Sequence, residues 1–162
     1  MSPRIISEDH HPTLRHADRE AIGGELQDIL VILLDLSLAG KHAHWNVVGP
    51  HFRALHLQLD ELVDSWRDAA DRIAERAVAL GHQPDGRIAT VATRTQLEPL
   101  AEGPLADADV IAAFTRLLTD AIGGIRERMD LLEDVDAVTA DLLHGIVARL
   151  EESLWMIRVQ VA

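Results

Sequence analysis

Apolar residues recur at helical spacing from Asp18 to Val47, where Leu26, Ile29, Leu30, Leu33, Leu34 and Leu36 share one broad stripe and no proline intervenes before Pro50. This pattern predicts a first long helix. Beyond the turn Val48-Gly49-Pro50, the stretch from His51 to Leu80 repeats the periodicity through Leu55, Leu59, Leu62, Trp66, Ile73 and Val78, then stops at Gly81 with Pro84 just past it. It is a second long helix. Residues 82–106 carry Pro84, Pro99 and Pro104, which leaves room only for a short helical piece, expected near Thr95 to Leu100. Ala108 to Leu132 and Val138 to Val161 are two further amphipathic stretches, separated by the acidic turn Glu133-Asp134-Val135-Asp136. The expected architecture is all-α: a four-helix bundle with one long crossover between the second and third helices, carrying a short extra helix. Residues 1–17 are expected to form a flexible tail and 18–162 the bundle domain. Ala-Ile-Gly-Gly occurs at 21–24 and again at 121–124, in the first and third long helices, as a remnant of duplicated hairpins or as a coincidence.

Composition narrows the chemistry. At 162 residues and 48% hydrophobic content the chain is sized for one globular domain, and its longest apolar run, Ile29 to Leu34, is far too short to span a membrane. Cysteine and tyrosine are absent, so disulfides, thiolate metal sites and tyrosyl radical chemistry are excluded. Histidine, aspartate and glutamate remain as ligands. The formal charge of −12, with Lys41 the sole lysine, repels phosphate and attracts cations. The opening MSPRIISEDHH has no apolar core of a secretory signal, so the cytoplasm is the expected location.

His44, His56, Asp60, Asp71 and Glu75 are the candidate metal ligands. His44 and His56 lie about equally far on either side of the turn at Pro50, so in an antiparallel hairpin they sit level. His56 and Asp60 are four residues apart, as are Asp71 and Glu75, and each pair therefore occupies one helix face. Asp60 and Asp71, 11 residues apart, share nearly the same face but are separated by roughly 16 Å along the axis. One chain cannot bring both pairs to one ion. Two copies of the second helix packed antiparallel about a two-fold axis near Ser65 and Trp66 can, because 56 and 75, like 60 and 71, have the midpoint 65.5. The donor set suits Fe(II), with Mn(II) or Zn(II) as other occupants. Neutral imidazole and ionised carboxylate are required, so affinity should fall as pH drops through the histidine range.

The segments Lys41-His42-Ala43-His44-Trp45-Asn46-Val47-Val48-Gly49, Phe52, Leu55-His56, Leu59-Asp60-Glu61, Asp71-Arg72-Ile73-Ala74-Glu75-Arg76 and Leu154-Trp155-Met156-Ile157 resemble the Dps family, the miniature ferritins named for DNA binding in starved cells. The likeness runs from about Glu20 to Val159. It implies a ferritin-like bundle assembled as a homo-oligomer of twelve subunits, with ferroxidase sites at two-fold interfaces. It also implies that His44, His56 and Asp60 come from one subunit, Asp71 and Glu75 from its partner, and that Trp45 stands beside the site. Iron would be oxidised from Fe(II) to Fe(III), by hydrogen peroxide in preference to oxygen, and stored as ferric mineral, protecting the cell against oxidative stress.

Glu133, Asp134, Asp136 and Asp141 resemble the region that lines acidic pores in such shells, although acidic residues at a helix start also complement the helix dipole. The family's lysine-rich tail is missing: residues 1–20 set Arg4, Arg15 and Arg19 against Glu8, Asp9, Asp18 and Glu20. DNA binding is accordingly expected to be weak or absent at neutral pH. His10, His11 and His16 are candidates for a second metal site or for a merely solvated tail, and His144, three after Asp141, is read as surface. Two competing functions differ in class: a DNA-compacting or scaffold bundle with a vestigial metal site, and a mononuclear metal-dependent hydrolase, which needs its ligands gathered within one chain.

Overall fold

The computed structural model of the chain describes residues 14–160. Four long helices run as two antiparallel hairpins: α1 (His16–Asn46) with α2 (Phe52–Ala79), and α4 (Asp107–Leu132) with α5 (Ala137–Arg158). The hairpins pack through α1 against α4 and α2 against α5, and a short α3 (Ile88–Arg94) lies on α1 within the crossover. This is the bundle with one central crossover that the periodicity predicts. α1 begins at His16, so the expected tail of residues 1–17 and its His10 and His11 fall almost entirely outside the described residues, while an exposed His16 opens the helix.

The core is aliphatic and continuous, with Ile22, Leu26, Ile29, Leu33 and Leu36 of α1 fully buried against Leu55, Leu59 and Ile73 of α2 and Phe114 and Leu118 of α4. Burial of such side chains stabilises by about 1.5–3 kcal/mol each. Trp66 stacks on Phe114 with ring centroids 6.0 Å apart and planes 10° from parallel, inside this core. Close approach of α1 to α2 depends on Gly40: a Cβ there would come within 2.4 Å of Val63 and 2.9 Å of the Trp66 ring. The repeated Ala-Ile-Gly-Gly has no common role, since Gly23 is pressed against His82 whereas Gly123 faces open space.

The turn between α1 and α2 is pinned from a distance. Two-residue strands β1 (Val47–Val48) and β2 (Leu105–Ala106) pair in parallel, Val47 with Leu105 and Val48 with Ala106, and so join this turn to the start of α4. Asp107 accepts hydrogen bonds from the His51 backbone N–H at 2.8 Å and from His51 Nδ1 at 2.9 Å. Those bonds, the backbone one foremost, hold its carboxyl below the usual range. Gly49 has φ +126°, and a Cβ at that position would meet the Asp107 carboxylate at 2.7 Å, so only glycine fits the turn.

The short crossover helix spans Ile88–Arg94, ahead of the expected Thr95 to Leu100. Pro99 disfavours helical backbone at Glu98, whereas Asp85 accepts from the Arg87 N–H and the Thr90 hydroxyl and supports a helix that starts about two turns earlier. The crossover is then fastened to α1. The Gln27 side chain exchanges two hydrogen bonds with the Asp85 backbone, Arg94 pairs with Asp28, and the Thr95 hydroxyl donates to Asp35. At the other end of the molecule Asp136 caps α5 by accepting from Thr139. Among the described residues, no helix is long and apolar enough to cross a membrane.

Candidate metal centre

His44 stands in the last turn of α1 and His56 in the second turn of α2, level across the hairpin as their spacing predicts. Their rings stack with centroids 3.7 Å apart and planes 19° from parallel. Nδ1 of His44 donates to the carbonyl of His56 at 2.7 Å, and Nδ1 of His56 donates to the carbonyl of His44 at 2.9 Å. A carbonyl can only accept, so each Nδ1 carries a proton and each Nε2 of the neutral ring keeps its lone pair. Backbone carbonyls holding Nδ1–H are the usual outer support of a metal-ligating imidazole. His44 is 7% exposed, its freedom removed by the hairpin itself.

Asp60 lies one turn further along α2, with an oxygen 3.9 Å from His44 Nδ1. Lys41 Nζ reaches that oxygen at 2.5 Å, and this bond, aided by the charges around it, holds the Asp60 carboxyl below the usual carboxylate range. Lys41 also stands 5.7 Å over the ring of Trp45, which is 70% exposed. Trp45 is therefore not a core aromatic, and Trp66 fills that place. The Lys41–Asp60 contact is not among the expectations from spacing, although 41 and 60, with midpoint 50.5, lie nearly as evenly about the turn as 44 and 56, with midpoint 50.

Asp71 and Glu75 share one face of α2, both exposed, some three turns beyond Asp60. They do not join the imidazoles of their own chain. Among the described residues, no three His, Asp or Glu side chains gather as a group able to hold a metal ion. The five ligand candidates thus separate into an imidazole half, His44, His56 and Asp60, and a carboxylate half, Asp71 and Glu75. The spacing sets the level of the two-fold axis along α2 at Ser65 and Trp66, and the structure shows which side chains are exposed at that level. Trp66 is 1% exposed and Ser65 borders a groove against Gly145, Ile146 and Arg149 of α5. Helical rotation places Asp64 and Arg67, both exposed, on the stripe that carries His56, Asp60, Asp71 and Glu75.

Of the acidic candidates at the last turn, Glu133, Asp134 and Asp141 are exposed, whereas Asp136 is taken up in the fold. Its carboxylate accepts from Thr139 and from Arg76 Nη2 at 2.5 Å. Burial alone would raise its pKa, but these bonds outweigh burial and hold it below the usual range. His144 is exposed, as read.

Comparison with known proteins identifies the family. Residues 24–162 match the Ferritin-like domain family. The chain is 34% identical over 151 residues to the DNA protection during starvation protein of Mycolicibacterium smegmatis, covering 93% of this chain and 82% of that one. Its structure is similar to that of Mycobacterium smegmatis Dps, with TM-score 0.91, 30% identity and coverage of 96% and 94% of the two chains. Similarity to DpsA14 from Streptomyces coelicolor gives TM-score 0.89 at 33% identity, over 93% and 89% of the chains. The fold and the sequence match along nearly its whole length together establish that this chain belongs to the Dps family of ferritin-like proteins.

Proposed function

We propose that the protein is a ferroxidase and iron store: two copies join along α2, each completing a metal site of the other, and twelve copies enclose a cavity that receives the ferric product. The observation that carries this reading is the reciprocal hydrogen bonding of His44 and His56, which commits each Nδ1 to a backbone carbonyl and leaves Nε2 as the nitrogen available to a metal. Such rings are poor choices for a surface that merely needs solvation. Asp71 and Glu75, exposed and without partners among the described residues of their own chain, supply the complementary oxygens when presented by a second copy.

Fe(II) is the substrate. Two Fe(II) give two electrons to one hydrogen peroxide, which with two protons yields two waters and two Fe(III). Delivering both electrons at one site avoids the one-electron cleavage that frees hydroxyl radical. His44, His56 and Asp60 bind and orient, Asp71 and Glu75 complete the shell and neutralise charge, and Trp45 stands at the rim beside Lys41. Glu133, Asp134 and Asp141 are the acidic groups left to draw cations to a pore. A protective role exercised through iron needs no grip on DNA. With net charge −12, the intact protein is expected to leave duplex DNA unshifted at neutral pH and moderate salt, and a clear shift in a mobility assay would contradict this.

The test is the initial rate of Fe(II) oxidation, with peroxide and with oxygen, in the doubly substituted His44→Ala, His56→Ala protein. We expect a fall of about 100-fold or more at unchanged native mass. An unchanged rate would leave the scaffold reading in place.

A further inference from the structure

The two-fold contact that unites the half-sites has a centre of its own. On α2 the residues His56, Asp60, Asp64, Arg67, Asp71 and Glu75 follow one another at intervals of three or four, on a single stripe that is half-buried at His56 and exposed thereafter. The stripe borders a groove of about 350 Å³ in which Arg67 and Asp71 stand beside Leu30 and Leu34 of α1. It faces away from α5, the side on which Ser65 lies. Positions 64 and 67 have the midpoint 65.5, the same as 56 with 75 and 60 with 71. Any rotation that carries the carboxylate half of one copy onto the imidazole half of the other therefore carries Asp64 onto the partner's Arg67 and Arg67 onto the partner's Asp64.

We propose that Asp64 and Arg67 of two copies form a reciprocal ion-pair square at the middle of this contact, and that the square fixes the register in which the metal sites close. This rests on the shared-site reading above. Neither side chain makes a hydrogen bond or ion pair with any described residue of its own chain, whereas Arg76, Arg94 and Arg128 are each paired within it. Four charges of alternating sign are self-complementary, the requirement of an isologous interface. Leu57, 46% exposed, has the same relation to Ala74 at the edge of the groove and adds an apolar contact on either side of the square. Slippage is opposed. A shift of one helical turn in one direction sets Asp64 against Asp71 and Asp60 against Glu75, all of like charge. The opposite shift sets Arg67 against Asp60 and takes a ligand out of the site.

Two single substitutions test the square through their mixture. Arg67→Glu leaves only acids at the centre of a homodimer and Asp64→Arg leaves only arginines, so each alone is expected to raise the dissociation constant of the dimer by about tenfold or more. A heterodimer of the two variants regains both opposite-charge contacts across the axis. Sedimentation of the full-length chains at low salt, with far-UV circular dichroism as the check on helix content, should show each variant dissociated and the co-expressed pair assembled like the parent. An effect confined to one helix could not be repaired by mixing. If both variants assemble as the parent does, or if the mixture stays dissociated while both remain helical, the square is refuted and the ferroxidase reading stands on its own test. If the parent protein never associates, the shared-site reading falls and the square with it.

Discussion

As a proposed ligand Asp60 would have two partners, a metal ion and Lys41, which compete for it. The ammonium 2.5 Å from its oxygen keeps the carboxylate ionised while no cation is present, yet a dication approaching the imidazoles must displace that ammonium. Lys41→Gln should therefore bind Fe(II) or its stand-in Zn(II) several-fold more tightly in titration calorimetry at neutral pH. Weaker binding would mean that Lys41 supports the site rather than guarding it. The histidine pair was legible in the sequence because Pro50 marks the hairpin turn and both rings sit equidistant from it. Two things were not legible: the carbonyl partners of the rings and the Lys41 contact. Each depends on side-chain rotation about the helix axis, which a tally of spacings along one element fixes less firmly than distance along it.

The helices owe their placement to a few points where the sequence permits no substitute. Gly40 lets α1 and α2 approach; Gly40→Ala forces Val63 and Trp66 to move and should cost about 1–3 kcal/mol, read as a lowered thermal midpoint. A midpoint within error of the parent would show that the hairpin has slack there. At the start of α5, Asp136 serves both Thr139 and Arg76. Asp136→Ala loses a cap, worth about 1 kcal/mol, and also strands the mostly buried Arg76 charge, whereas Asp136→Asn should keep most of the cap. The pH dependence has a definite sign. The folded-state pKa lies below the ordinary value of 3.8, so the stabilisation is present above that value and disappears as pH falls through the lower one. The parent's acid limb should be steeper than that of Asp136→Asn in denaturation curves taken below pH 4, and parallel limbs would count against the pairing. The order of the long helices followed from periodicity and proline placement alone, whereas the two-residue strands β1 and β2 did not. The short crossover helix was misplaced because its start is set by Asp85 side-chain bonds, which no hydrophobic pattern carries.

At the scale of the whole molecule, function is a property of an assembly. A single chain holds His44 on α1 and His56, Asp60, Asp71 and Glu75 on α2 without gathering them, so on the proposed reading its activity depends on a neighbour presented in the correct register. A native mass near 214 kDa, twelve times the 17.8 kDa chain, is the expected state in solution. Mass alone does not show that the sites are shared. The direct measurement is complementation of iron oxidation between two inactive proteins, one with His44→Ala and His56→Ala, the other with Asp71→Ala and Glu75→Ala. A heterodimer of the two has one site with neither half and one site with both, so random mixing should recover about a quarter of the parent rate per chain. No recovery in a mixture of demonstrably mixed dimers, or full activity of the carboxylate variant by itself, would contradict a site built from two subunits.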